Sequence, residues 1–485
     1  MTKTMQKPLA LLGTLALLCA CALAAGCQPA QPAALPEGTD AAQPVGTPEP
    51  AATAQAGETD VSAFPERFAC DFVGENLGAH VTADVPIRYL SETSFPQARV
   101  APRAFTEQEV ELLSRRLLGE TLYAYDASQT PDGVAAAIDY NESLMESETV
   151  RERIVAEYGE DYYTDTYLPQ QEEALAALRA YQRQLEAGEA PAQQTWDGSY
   201  SQQDGALRTA WLTNVPNSAA GGDAERDLVT VTNDPDHALA TGFQFVSAGT
   251  YAASFWDKCG TNVQNERIDP AAYGETHHGL DLTPQQAIDQ VRALFDGILE
   301  LSVYGVYYGN DAPTDGDYAG EWQNDGYIVR VTPAYGSAGC LWLTGLSSVQ
   351  TESGGDSWGH ELILAAVDET GVRALTWSCP TEVLEGPSGT AAMLPFDEVE
   401  RLFSQAIDRL PLGQGVAELE VTEVRLGLMR LLDGSEPEGT LTPVWAFLGS
   451  ITQTDDGAKR FRDELEPLLL INAVTGDTVN LTRGY

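Results

Sequence analysis

Few residues of this 485-residue chain have the type and spacing to do chemistry. Gly355-Asp356-Ser357-Trp358-Gly359 spells G-x-S-x-G, the string in which a serine stands exposed on a sharp strand-to-helix turn and acts as a nucleophile. The flanks disagree with that role. Ser353 and Gly354 precede it without a strand pattern, and His360 to Val367 continues as a strand with no helix. A hairpin loop is expected, with hydrolysis through Ser357 as the alternative. Asp311-Ala312-Pro313-Thr314-Asp315-Gly316-Asp317 has the carboxylates of a calcium loop, yet Pro313 takes the third ligand position and Trp322 the twelfth, where a bidentate glutamate is needed. A solvated turn is expected there.

The histidines and cysteines are scattered. His277 and His278 are neighbours, so a strand points them to opposite faces and a helix sets them about 100° apart; one metal ion would reach both only from a loop. Cys70, Cys259, Cys340 and Cys379 allow three connectivities. None sits in a C-x-x-C pair, and His80, His237, His277, His278 and His360 are not at zinc spacing from them. Cys340 and Cys379, both on strands of one module, are the disulfide to test first, with free buried thiols as the other reading. No cofactor, metal or catalytic residue is expected.

Cys27 is the residue to which the sequence assigns a definite reaction. Lys3 and Lys7 give a positive start, and Leu9 to Leu18 an apolar core too short to span a membrane stably. Leu23-Ala24-Ala25-Gly26-Cys27 then resembles a lipobox, in which Cys27 becomes the lipid-modified N-terminus. Residues 1–26 are therefore read as a lipoprotein signal peptide. Ordinary secretory cleavage nearby, with Cys27 unmodified, is the competing expectation. Residues 27–60 follow as a tether: from Gln28 to Asp60 there are six prolines and nine alanines, with no aromatic residue, lysine or arginine. Such a stretch cannot bury enough apolar surface to fold, and as a semi-extended spacer it reaches at most on the order of 100 Å.

Charge narrows the partners. The chain carries 72 acidic and 27 basic residues, a net −45, and loss of Lys3 and Lys7 makes the mature form more acidic still. Such a body is repelled by nucleic-acid phosphates and anionic head groups, so no nucleic acid is expected. The charge serves solubility, or alternatively docks a basic partner or weakly binds calcium.

The positioning elements fall into an α+β pattern. Residues 61–190 read as an N-terminal α+β unit: a strand through Val81, Ala83, Val85 and Ile87, a second at Arg99 to Phe105, a helix opened by the Thr106 to Glu109 capping box, then helices near Pro131 to Gly159 and Pro169 to Ala187. Residues 191–281 hold short strands such as Asp227 to Val231 and Phe243 to Val246 between Gly, Asn, Asp and Ser clusters. Two helix-on-sheet modules follow, 282–385 and 394–485. In the first, Thr283-Pro284-Gln285-Gln286 caps a helix whose stripe is Ala287, Ile288, Val291, Leu294, Phe295, Ile298 and Leu299, followed by strands, a turn at Asp368 to Gly371 and a closing strand. In the second, Val399, Leu402, Phe403, Ala406, Ile407 and Leu410 form the stripe of a helix from Pro395 to Leu410. Alternation changes phase at Thr422-Glu423, which predicts a bulge, and the run Leu468 to Ile471 predicts a central strand paired on both sides. The shared order of helix, strands, Thr-Gly turn and last strand predicts a duplication; two independent units of like pattern are the other reading.

The closing Ile471-Asn472-Ala473-Val474-Thr475-Gly476 segment, preceded by helix and strands, resembles PepSY-like modules of secreted and membrane-attached bacterial proteins. Together with Pro443-Val444-Trp445-Ala446-Phe447 it is similar to the C-terminal part of regulatory proteins attached to cell-wall-sensing kinases. More of the length resembles uncharacterised bacterial lipoproteins carrying a domain of unknown function. The resemblance implies fold and an envelope location, and carries over no catalytic residue. The expected protein is a lipid-anchored, extracytoplasmic, non-catalytic module on the cell membrane that binds or regulates an envelope protein or peptide. A secreted hydrolase using Ser357, or a solute-binding lipoprotein, is the alternative; the latter needs doubly wound lobes, whose strand-helix-strand alternation is missing here.

Overall fold

The computed structural model describes residues 60–204, 207–219, 226–234, 241–248, 266–310, 325–343, 359–385, 390–410, 416–432, 438–453, 459–461 and 467–479. They form an α+β fold with two sheets that are antiparallel in all pairings but one. They divide into two compact units: residues 126–193 with 216–219, and residues 60–125 with 194–215 and 226–479.

The smaller unit is helical. Helix α2 (Pro131–Glu146) starts on Thr130, whose Oγ1 accepts from Gly133 N at 3.1 Å, with Pro131 in the first turn where no hydrogen bond is lost. The single helix expected to run to Gly159 is instead broken at Ser147, where the backbone turns extended (φ −78, ψ 110) and the side chain caps α3 (Glu148–Tyr158). A π-helical turn, Tyr163–Tyr167, leads into α4 (Leu168–Glu186). Val134, Ile138, Leu175 and Leu178 pack α2 on α4.

The larger unit holds both sheets. The first has the order β1 (Arg67–Val73), β2 (His80–Tyr89), β16 (Val416–Leu432), β17 (Gly439–Gln453), β3 (Ala98–Pro102), β15 (Thr381–Glu385), with β18 (Lys459–Phe461) and β19 (Leu469–Asn472) also on β17. The second runs β4 (Tyr123–Ala124), β6 (Leu207–Thr213), β7 (Leu228–Asn233), β8 (Gly242–Val246), β14 (Gly371–Ser378), β13 (Leu362–Asp368), β11 (Asp325–Tyr335), β10 (Leu301–Asn310), β9 (Glu266–Arg267), with β5 (Gln202–Asp204) on β6 and β12 (Ala338–Gly339) on β11. Helix α1 (Glu107–Leu118) begins with the expected capping box at Thr106 and Glu109.

The two modules share one plan. Helix α5 (Pro284–Phe295) opens with the Thr283–Gln286 capping box and buries Ala287, Ile288, Val291, Leu294 and Phe295. It stops before Gly297, whose φ of 70° suits glycine, so Ile298 and Leu299 lie past its end. Strands β10, β11, β13 and β14 then pair in sequence. Helix α6 (Phe396–Ile407) buries Val399, Phe403 and Ile407, and β16, β17 and β19 pair in the same succession, closed by a bridge from Ile471 to Thr478. The first strand of each is irregular, between Val303 and Gly305 in β10 and, in β16, between Val416 and Glu418 and between Val421 and Glu423. The latter is the expected bulge.

Sheet membership cuts across the boundaries drawn from sequence. Within 61–190, β1 to β3 complete the sheet of the 394–485 module, β4 edges the second sheet, and the helices from 126 form their own unit. Strands β6 to β8 extend the sheet of the 282–385 module, while β15 leaves it for the other. Pairing between strands hundreds of residues apart depends on edge and face complementarity, which local periodicity does not encode. Among the described residues β19 pairs with β17 on one side and meets an isolated bridge, Ile471 to Thr478, on the other, where the sequence predicts a strand paired on both sides.

Candidate binding cleft at the seam of the sheets

The two sheets meet where β2 runs out. Strand β2 follows β16 in parallel as far as Tyr89 beside Leu426. Residues after β12 then take over the edge of β16: Cys340 bridges Leu428, and Leu341 N donates to Leu428 O at 2.8 Å. Gly339 N donates to Leu90 O at 2.6 Å. A Cβ at Gly339 would overlap the Ser302 side chain, so glycine permits this approach.

Beside this crossing lies a cleft of 980 Å³, walled by Tyr89 to Glu92, by Asp296 to Val303 after α5, and by the turn at Gly336-Ser337. Ser91, Thr93 and Ser337 hydroxyls are linked at 3.2 and 3.4 Å, and Ser91 also donates to Ser94 O at 2.8 Å. Glu92, Asp296 and Glu300 line it against one cation, Arg292. Its wall is stiffened by Ala334 N bonding Glu300 O at 2.9 Å. The arrangement presents hydroxyl acceptors and excess negative charge around an open volume, which suits a ligand with an amine or guanidinium. Tyr89 contributes its ring, because its hydroxyl donates to Pro65 O at 2.5 Å and burial pushes that phenol up.

Two buried ionic groups lock the sheets nearby. Glu423 accepts from Arg425 at 2.8 and 2.9 Å, forms an ion pair with Arg88 at 3.0 Å, and pairs also with Arg267. Burial opposes its ionisation, yet Arg425, Arg267 and Arg88 hold it at about 2. The Arg425 guanidinium lies 3.8 Å over the Tyr304 ring. In the second group, Glu361 accepts from Trp377 Nε1 at 2.8 Å and from Thr381 N at 3.0 Å, and burial raises it to about 7. Arg103 pairs with Glu109 at 2.7 Å and lies over Trp377. Arg430 donates to Gly359 O at 2.6 Å.

The residues singled out in sequence are placed as follows. Cys27, Cys259, His237, Ser357 and the Asp311 to Asp317 loop lie outside the described residues. Cys70, Cys340 and Cys379 are free thiols, so the Cys340–Cys379 disulfide is not formed. Burial raises all three, Cys70 and Cys379 to about 11, which keeps them protonated. Burial and Arg430 push His360 down to about 3. His277 and His278 diverge: the ring of one reaches Ala272 O at 3.2 Å, and the other stacks on Tyr308 at 3.7 Å. His80 pairs with Asp71 at 2.7 Å. Among the described residues no group of three or more His, Cys, Asp or Glu is placed to hold a metal ion, and no helix is long and apolar enough to cross a membrane. The cleft and both ionic groups escaped the sequence, since Arg88, Arg267 and Glu423 come from three distant segments with no shared motif.

No family model matches the chain, and no curated protein matches it. Among solved structures, the crystal structure at 1.45 Å of an uncharacterized protein from Eubacterium rectale ATCC 33656 aligns at 13% identity with a TM-score of 0.47, covering 87% of this chain and 95% of that one.

Proposed function

We propose that the protein is a lipid-anchored, extracytoplasmic binding module of PepSY-like units, without catalytic turnover, that takes a cationic peptide of an envelope partner in the seam cleft. The observation that carries this is the cleft itself: 980 Å³ lined by Glu92, Asp296 and Glu300 against Arg292, with a hydroxyl set at Ser91 and Ser337. The described thiols and His360 are held in neutral forms by burial, and such groups serve packing better than nucleophilic or acid–base work. A lipid anchor at Cys27 and a Pro-rich tether raise the local concentration of two membrane-retained partners without new contacts.

The test is calorimetric titration of the mature chain with short lysine-containing peptides. Binding is expected in wild type, and Ser337→Trp, which fills the cleft from an exposed turn, should abolish it. Equal binding by Ser337→Trp refutes the cleft. Hydrolysis of the peptide by wild type that disappears in Ser357→Ala overturns the non-catalytic reading in favour of a hydrolase.

A further inference from the structure

Helix α3 buries none of its eleven residues, although a helix this short is marginal in water without a surface to pack on. Its last residue, Tyr158, is 58% exposed, and Tyr162, beyond the break at Gly159, is 39% exposed. Their rings lie 5.0 Å apart. Glu157 and Asp161 flank them in solvent and make no ion pair among the described residues. The setting is acidic throughout: residues 126–193 carry fifteen carboxylates against four arginines and no lysine.

Carboxylates alone would attract cations diffusely, whereas tyrosine faces add direction. The same unit shows how the combination seats a guanidinium. Arg151 lies 5.8 Å from the Tyr163 ring centroid while bonding Glu148 at 3.2 Å and Glu160 at 3.0 Å. Tyr158, Tyr162, Glu157 and Asp161 present the same partners, ring faces with two carboxylates, outward. A guanidinium fits them better than an ammonium, because its plane stacks on a ring while its edge bonds carboxylate.

We propose that the Tyr158–Tyr162 face of the helical unit is a docking surface for an arginine-bearing polypeptide segment of another protein. It is separate from the cleft, and goes beyond the function proposed above. Charge complementarity selects the occupant: a basic segment relieves self-repulsion among the carboxylates, and its arginines cover the exposed rings.

The probe is a fluorescein-labelled peptide of alternating arginine and glycine, followed by anisotropy with the full mature chain and read against a lysine version of equal length. Tyr158→Ala with Tyr162→Ala should weaken the arginine peptide about tenfold, while the paired phenylalanine substitutions, which keep the ring faces, should stay within about twofold. Glu157→Gln with Asp161→Asn should weaken binding and lessen its salt dependence. Far-UV circular dichroism confirms that the variants keep their helices, and every titration is made in the Ser337→Trp background, whose cleft is filled, so the binding read is that of this face alone. Equal binding by the double alanine variant, or equal affinity for the lysine peptide, reduces the effect to diffuse attraction and overturns the proposal. Self-association in sedimentation that the alanine pair abolishes, without arginine-peptide binding, assigns the face to a second copy and overturns it likewise.

Discussion

Glu361, half-buried, and Trp377, fully buried, are joined by a 2.8 Å hydrogen bond from the indole Nε1 to one carboxylate oxygen, while the other oxygen accepts from Thr381 N. Glu361 precedes β13, Trp377 lies on β14, and Thr381 begins β15, so one carboxyl group ties the second sheet to the strand that crosses into the first. Arg103, Arg430, Cys340, Cys379 and Tyr335 surround it.

That setting makes stability depend on pH in a defined direction. Burial raises Glu361 from 4.5 to about 7, so the folded protein keeps a proton that the unfolded chain has lost. Its contribution is full below 4.5 and is lost as pH rises to about 7, a difference on the order of 3 kcal/mol. His360, lowered from 6.5 to about 3 by burial and Arg430, acts oppositely and gains stability as pH rises over that span. Thermal melts of wild type and Glu361→Gln from pH 4 to 8 separate the two. The wild-type advantage in Tm should shrink steadily between pH 4.5 and 7, and a constant difference would count against the assignment.

Glu423 has the reverse sign. Held at about 2 against an ordinary 4.5, it contributes stability above 4.5 that is lost as pH falls toward 2. Glu423→Gln leaves Arg88, Arg267 and Arg425 crowded without their shared carboxylate and should cost about 3 to 5 kcal/mol at neutral pH. In acid titrations followed by tryptophan fluorescence, the variant should lose less stability than wild type below pH 4.5.

Phe403 is fully buried between Phe68 and Phe447, at ring separations of 5.1 and 4.5 Å. Phe295, in the corresponding helix of the other module, is equally buried beside Trp377 at 5.3 Å. Truncating either to alanine should cost about 3 to 5 kcal/mol, read as a drop in urea midpoint at unchanged slope. A loss under 1 kcal/mol at one site would mean that its helix is not a structural counterpart of the other.

Labelling with a fatty-acid analogue in cells should mark the wild-type chain and not Cys27→Ala, which should also leave the membrane fraction. Label retained by the variant would refute acylation at Cys27.

What the sequence determined by itself was local. The capping boxes at Thr106 and Thr283, the apolar stripes of α5 and α6 and the bulge at Glu423 each depend on residues within one or two turns or pleats, where period and capping chemistry act directly. Even there the short range had limits: Ile298 and Leu299 kept the helical spacing of α5, but Gly297 had already turned the backbone. Tertiary structure alone decided which strands share a sheet, because β2 meets β16 across more than 300 residues and an edge carries no address in its own sequence. It alone also assembled the cleft and the Glu423 and Glu361 groups. Their members are single polar residues on otherwise ordinary strands, and a charge reveals its partner only when folding removes both from water.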